Sequence, residues 1–136
     1  DEYMMTSISD IYAAGDCAQY KGQNYGIWPQ ALEEGKVAGA CAAGDPDIKY
    51  EPETPALSFH GMNTALFAIG DNGKNPDLIY KTLELKDRGK KQYQKYYFLN
   101  NRLCGVILLG DTTKMAEMTE AVNQKKTFQE MFSGMA

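Results

Sequence analysis

The run Thr6-Ser7-Ile8-Ser9-Asp10-Ile11-Tyr12-Ala13-Ala14-Gly15-Asp16 ends an apolar stretch on one carboxylate. A strand that stops at Gly-Asp presents that carboxylate at its tip, where it can only accept hydrogen bonds, and charge-assisted bonds are the stronger ones. Gly15 permits a tight exit from the strand. The next helix is expected to begin near Trp28, Pro29 and Gln30, because proline suits a first helical turn. Neither Ile27 nor Trp28 carries the side-chain oxygen that usually caps a helix, so the first N–H groups stay available to an anion or a carbonyl.

The other reactive side chains do not assemble into a second site. Cys17, Cys41 and Cys104 are widely spaced and include no Cys-x-x-Cys, and His60 is the only histidine. That pattern gives neither a disulfide framework nor a zinc site, and no metal ligand is assigned. Cys17 is expected to be a small buried filler. His60 receives no role and no catalytic residue is assigned. Lys86, Arg88, Lys90, Lys91 and Lys95 form a basic turn that reads as a solvated hairpin tip, or as a docking point for an acidic electron carrier. Tyr93, Tyr96, Tyr97 and Phe98 read as sheet packing. A net charge of -4 excludes general attraction to nucleic acid or anionic lipid. No apolar run suggests a membrane span or a secretory leader, which points to a cytoplasmic protein.

These residues need elements to hold them. Ile8, Ile11, Tyr12, Ala13 and Ala14 are read as the strand before Asp16. The helix after Pro29 is expected to run to about Ala43 and to stop at Gly44. Ala31, Gly35 and Gly39 form a small-residue face suited to close packing. Asp45-Pro46-Asp47 through Thr54-Pro55 is acidic and proline-rich, which marks 46–55 as a linker between residues 1–45 and 56–136. Beyond it, Ala56 to Phe59, Leu66 to Ile69, Leu78 to Leu85, Tyr93 to Leu99 and Leu103 to Leu109 are successive strand candidates, with Asn100-Asn101 as a hairpin centre. The pattern then turns helical. Asp111 or Thr112 is the expected cap, and Met115, Met118, Ala121 and Val122 form the buried face. Thr127-Phe128-Gln129-Glu130 has capping-box spacing and starts a last helix. The fold class is α+β: a C-terminal antiparallel meander covered by two C-terminal helices, preceded by a strand-helix segment.

The Thr6–Asp16 run, taken with Pro29-Gln30-Ala31-Leu32-Glu33-Glu34-Gly35-Lys36-Val37-Ala38, resembles the second FAD-binding motif of the pyridine nucleotide-disulfide oxidoreductase family. Pro55 to Asp71 and Leu103 to Thr112 look like the C-terminal domain of rubredoxin reductases and of the flavin module of NAD(P)H-nitrite reductases. The resemblance implies that Asp16 accepts from a hydroxyl of the FAD ribityl chain. It also implies that Gly15 leaves room for the cofactor beside the backbone and that Trp28, Pro29 and Gln30 lie near the pyrimidine edge of the isoalloxazine, which makes Gly15, Asp16, Trp28, Pro29 and Gln30 the candidate cofactor-binding residues. Residues 1–45 would then be the end of an FAD-binding domain, with further FAD and NAD(P)H domains preceding them. The implied parent enzyme passes electrons from NAD(P)H through FAD to rubredoxin, nitrite, oxygen or a similar acceptor. This stretch alone holds no Gly-x-Gly-x-x-Gly loop and is expected to be inactive. It also lacks the C-terminal His-x-x-x-x-Glu pair of the disulfide reductases. A second reading from another class is a noncatalytic dimerisation or partner-docking domain. Without the upstream domains that the resemblance implies, Ile8, Ile11, Tyr12, Ile27, Trp28 and Leu32 would be exposed together as an apolar patch that favours self-association of this stretch.

Overall fold

The computed structural model describes residues 1–45 and 47–133. Pro46, from the expected linker, and residues 134–136, from the end of the expected C-terminal segment, lie outside the described residues. The chain divides after Pro55 into two units, Asp1–Pro55 and Ala56–Ala136.

In the first unit a single helix, α1 (Trp28–Ala42), carries a proline in its first turn, and Gly44 follows it at φ +92. Its inward stripe is Gln30, Glu34 and Val37, which are spaced to share one face. The small hydrophobic cluster of this unit joins Val37 to Met4 and Tyr50, with Tyr20, Ala38, Cys41 and Ile48 at its margin. Tyr50, within the expected linker, is held there by its N–H, which donates to the Glu2 carbonyl at 2.7 Å.

Two expectations for this unit are corrected. No strand forms over residues 8–14: the chain folds back on itself with one bridge, Met5 to Tyr12, and Asp10 takes a positive φ at the reversal. A strand needs a ladder partner for its backbone groups, and among the described residues this segment finds one only in its own preceding stretch: Thr6 N–H donates to the Ile11 carbonyl and Ala13 N–H to the Met4 carbonyl. Ile8 and Ile11 are left exposed. The small-residue face is also unpacked at Gly35 and Gly39, where added methyl groups would meet open space.

The second unit is a five-stranded antiparallel sheet: β1 (Ala56–Gly61), β2 (Thr64–Gly70), β3 (Tyr80–Asp87), β4 (Gln92–Leu99) and β5 (Arg102–Leu109). Its order is β1-β2-β5-β4-β3, so a β1–β2 hairpin meets a β3–β4–β5 meander along one seam. Asn100 and Asn101 both adopt positive φ between Leu99 and its partner Arg102, a turn asparagine tolerates. The connection from β2 to β3 passes against β5 at Cys104 and Gly105, with the Asp71 N–H donating to the Cys104 carbonyl at 2.8 Å. Gly105 makes this possible, since a Cβ there would run into the Asp71 carbonyl. Tyr80 Oη donates to Asp71 Oδ2 at 2.6 Å and fastens the same connection.

One sheet face supplies the core. Phe67 and Ile69 of β2, Val106 and Leu108 of β5, and Tyr96 and Phe98 of β4 pack with Met118, Ala121 and Val122 of α2 (Met115–Asn123). The last helix, α3 (Phe128–Phe132), sets Phe132 edge-on to Tyr96 at 5.3 Å. Thr127 and Glu130 form the expected reciprocal capping box. The start of α2 differs from expectation: its cap is Lys114, with no side-chain bond, because Asp111 Oδ1 is engaged by the Thr113 N–H and hydroxyl in a local turn. Met115, expected on the buried face, is exposed.

Candidate functional site

The five candidate binding residues all lie in the first unit. Gly15 adopts φ +78 and opens a single 3-10 turn, Gly15–Cys17, which turns the backbone sharply after Ala14. A side chain at Gly15 would be strained by this φ, and its Cβ would stand 3.5 Å from Ala31 Cβ. Asn24 fastens the far side of the turn, its Nδ2 donating to the Asp16 carbonyl at 2.9 Å and the Ala18 carbonyl at 2.7 Å. The Asp16 side chain is exposed, and among the described residues no donor is bonded to its carboxylate. Cys17 corrects the expectation of a buried filler. It is exposed, with its thiol donating to the Ala14 carbonyl.

Helix α1 begins beside this turn. Its cap residue, Ile27, is extended and gives no side-chain bond, as its chemistry dictates. Trp28 is 79% exposed, whereas Gln30 is only 7% exposed. Gln30 Oε1 is buried and has no hydrogen-bond partner, an arrangement that costs stability unless something supplies a donor. Gly15, Asp16, Tyr25, Gln30, Ala31 and Glu34 line one narrow hollow. Gln30 also lines an adjoining cleft of about 340 Å³ with Trp28, Pro29, Leu32, Tyr50 and Glu51 among its walls.

Sequence reasoning missed Glu34 and Tyr50. Glu34 is 7% exposed, and its Oε2 accepts from the Gly15 N–H at 2.7 Å. Tyr50 is 4% exposed, with its hydroxyl oxygen unpartnered. Burial, followed by the Glu34 charge, pushes the Tyr50 phenol up to about 12. The available signal was spacing: Gln30, Glu34 and Val37 place two polar residues in the stripe where a surface helix normally carries its apolar ones.

The remaining candidates sit in the second unit and form no comparable site. His60 is exposed on β1. In the basic turn, Glu84 takes Lys86 at 2.8 Å and Lys95 at 3.0 Å, which holds the Glu84 carboxyl down to about 2. Among the described residues no group of three or more His, Cys, Asp or Glu side chains could hold a metal ion, and no helix is long and apolar enough to cross a membrane.

Comparison with known proteins adds a separate set of findings. Residues 55–126 match the model described as "Rubredoxin NAD+ reductase C-terminal domain". Over 134 residues the chain is 27% identical to the NADH-rubredoxin oxidoreductase of Clostridium acetobutylicum, covering 98% of this chain and 34% of that relative. It is 28% identical over 126 residues to the assimilatory nitrate reductase electron transfer subunit of Bacillus subtilis, covering 93% of this chain and 16% of that relative. The crystal structure of the NADH:rubredoxin oxidoreductase from Clostridium acetobutylicum superposes with a TM-score of 0.73 at 26% identity, covering 93% of this chain and 32% of that one. The chain thus spans about a third or less of the proteins it resembles.

Proposed function

The chain belongs to the rubredoxin NAD+ reductase C-terminal domain family, and on that premise we propose that it is the C-terminal portion of an FAD-dependent NAD(P)H oxidoreductase. In this reading residues 1–55 close one side of the FAD site and residues 56–136 are the family domain. Electrons pass from NAD(P)H through FAD to a carrier or small acceptor such as rubredoxin, nitrite or oxygen. The parent works in the cytoplasm, and its further FAD and NAD(P)H domains cover Ile8, Ile11, Trp28 and Leu32. The isolated chain, which has no loop to cradle a pyrophosphate, is inactive.

The observation that carries the reading is an orphaned polar atom beside an uncapped helix start. Among the described residues, Gln30 Oε1 is buried without a donor in the first turn of α1, and the exposed Asp16 carboxylate on the neighbouring turn has no bonded donor. A ribityl chain offers hydroxyl donors, and an isoalloxazine ring offers both an N–H donor and carbonyl acceptors at its pyrimidine edge, so the residues present fit flavin. FAD supplies the hydride acceptance and electron delivery. Asp16 would fix the ribityl chain by accepting one hydroxyl. Gln30 and the free N–H groups of the first turn would orient the ring edge, where the positive end of the helix dipole favours negative charge by roughly 0.3–2 kcal/mol. The cleft beside Trp28 and Pro29 is within the range of small-molecule sites.

Riboflavin, which has the ribityl chain and ring without the pyrophosphate, tests this half-site directly. Its addition to the isotope-labelled chain is expected to shift the amide resonances of Gly15, Asp16 and Gln30. Asp16→Ala should weaken the binding about tenfold, the loss expected for a charge-assisted bond. Lumiflavin, which lacks the ribityl chain, should be insensitive to that change. Shifts that ignore Asp16→Ala, or that fall in the sheet, would count against the assignment.

A further inference from the structure

Glu34 is a carboxylate placed where a helix of this kind would ordinarily bury an apolar side chain, between Gln30 and Val37 on the inward stripe of α1. Among the described residues no lysine or arginine pairs with it. Its bonded donor is the Gly15 N–H at 2.7 Å. The Tyr50 phenol also faces this carboxylate, but neither neighbour is a cation, and burying a carboxylate against neutral groups is costly, so its presence calls for a task that an alanine or leucine could not perform. Gly15 defines that task. It sits at φ +78, and among the described residues no backbone carbonyl takes its N–H. The turn it opens has no buried residue and no side-chain cap of its own. It is fastened on one side by Asn24 and on the other by Glu34. Glu34 stands one helical turn beyond Gln30, so the bond to Gly15 fixes the spacing between Asp16 and Gln30.

We propose that Glu34 is a positioning residue: its carboxylate clamps the Gly15–Asp16 turn to α1 and sets the separation of the two groups that hold the ribityl chain and the ring edge. This rests on the flavin reading for its purpose, although the clamp itself is a property of this chain alone. The acceptor matters, together with its reach. Glutamine keeps both, aspartate keeps the charge but shortens the reach, and alanine removes the acceptor.

Amide hydrogen exchange on the full chain tests the clamp. Exchange at Gly15 should accelerate at least tenfold in Glu34→Ala and in Glu34→Asp, and should stay within about threefold of the original in Glu34→Gln. Leu103 and Leu108, in the other unit, serve as internal references. Riboflavin binding provides the second readout: Glu34→Ala should weaken it about tenfold, Glu34→Gln should restore it, and Glu34→Ala combined with Asp16→Ala should cost no more than Asp16→Ala alone. Unchanged exchange at Gly15 in both the alanine and aspartate variants overturns the clamp, as does equal acceleration in the glutamine variant. If Glu34→Ala loses the fold of the first unit, the aspartate and glutamine pair still decides. A chain that takes up no riboflavin refutes the flavin reading, while exchange at Gly15 continues to decide whether Glu34 holds the turn.

Discussion

In residues 56–133 the sheet and α2 bury Leu103, Val106 and Leu108 almost completely, whereas in residues 1–55 the buried apolar set is Met4, Val37 and Tyr50. The second region is held by volume, with side chains from three strands and a helix meeting in one cluster. The first is held by particular hydrogen bonds: Glu34 to Gly15, Asn24 to the turn, and Tyr50 to Glu2. A core of that size buries little area, so the shape of the first region depends on individual polar side chains. The contrast assigns different work to the two regions. The sheet provides a body that stands on its own contacts, and the helix with its turn provides the surface on which the proposed binding groups stand.

The sharpest way to break this contrast is to damage one region and watch the other. Leu103→Ala, at a side chain with 0% exposure, should cost about 3 kcal/mol. For a unit of about 80 residues that lowers the melting midpoint on the order of 15 °C. Site-resolved thermal melts should show the loss in β5 and α2 and leave Gly15 and Val37 unmoved. A coincident fall in both regions would show that they unfold as one body. Val37→Ala is the complementary test. Removing two buried methyl groups should cost about 1.5 kcal/mol, confined to residues 1–55 in the same experiment. Equal sensitivity of β5 would again abolish the distinction.

The smallest effect should come from surface charge on the sheet. Lys86 and Lys95 hold the folded Glu84 carboxyl down to about 2, from an ordinary value of 4.5. A depressed carboxyl contributes stability above its unfolded value and loses it as pH falls through the folded one. Denaturant midpoints of the original chain and Glu84→Gln should therefore differ slightly at pH 6, draw together as pH drops below about 4.5, and coincide only once pH falls below about 2. A difference at pH 6 rivalling that of Leu103→Ala would mean that charge, and not volume, dominates the sheet.

Much of the sheet is legible in the sequence because its signals are local. Alternation between Ala56 and Leu109 places five strands with ends shifted by a few residues, and Asn100-Asn101 marks its turn by a conformational preference of asparagine itself. Thr127 and Glu130 announce their cap by spacing. The pairing of β2 with β5 is not legible, because it depends on which distant strands share a core face. The start of α2 at Lys114 also escapes, since Asp111 and Thr113 satisfy one another in a turn that competes with the cap. In the first region, Ile8 to Ala14 carry strand composition without a ladder to join. Glu34 reads as one more solvated charge until the fold turns it inward.

The strand order carries a kinetic consequence. The β1–β2 hairpin and the β3–β4–β5 meander each close over short turns, but Phe67 and Ile69 meet Leu108 and Val106 only when the two pieces come together. Closing that long loop costs chain entropy before it yields burial, and local pairings are the faster ones to form. The hairpin and the meander are therefore the early structures, each with an unfinished apolar side. Their docking is the step expected to limit folding, and there α2 acquires both halves of the surface it covers.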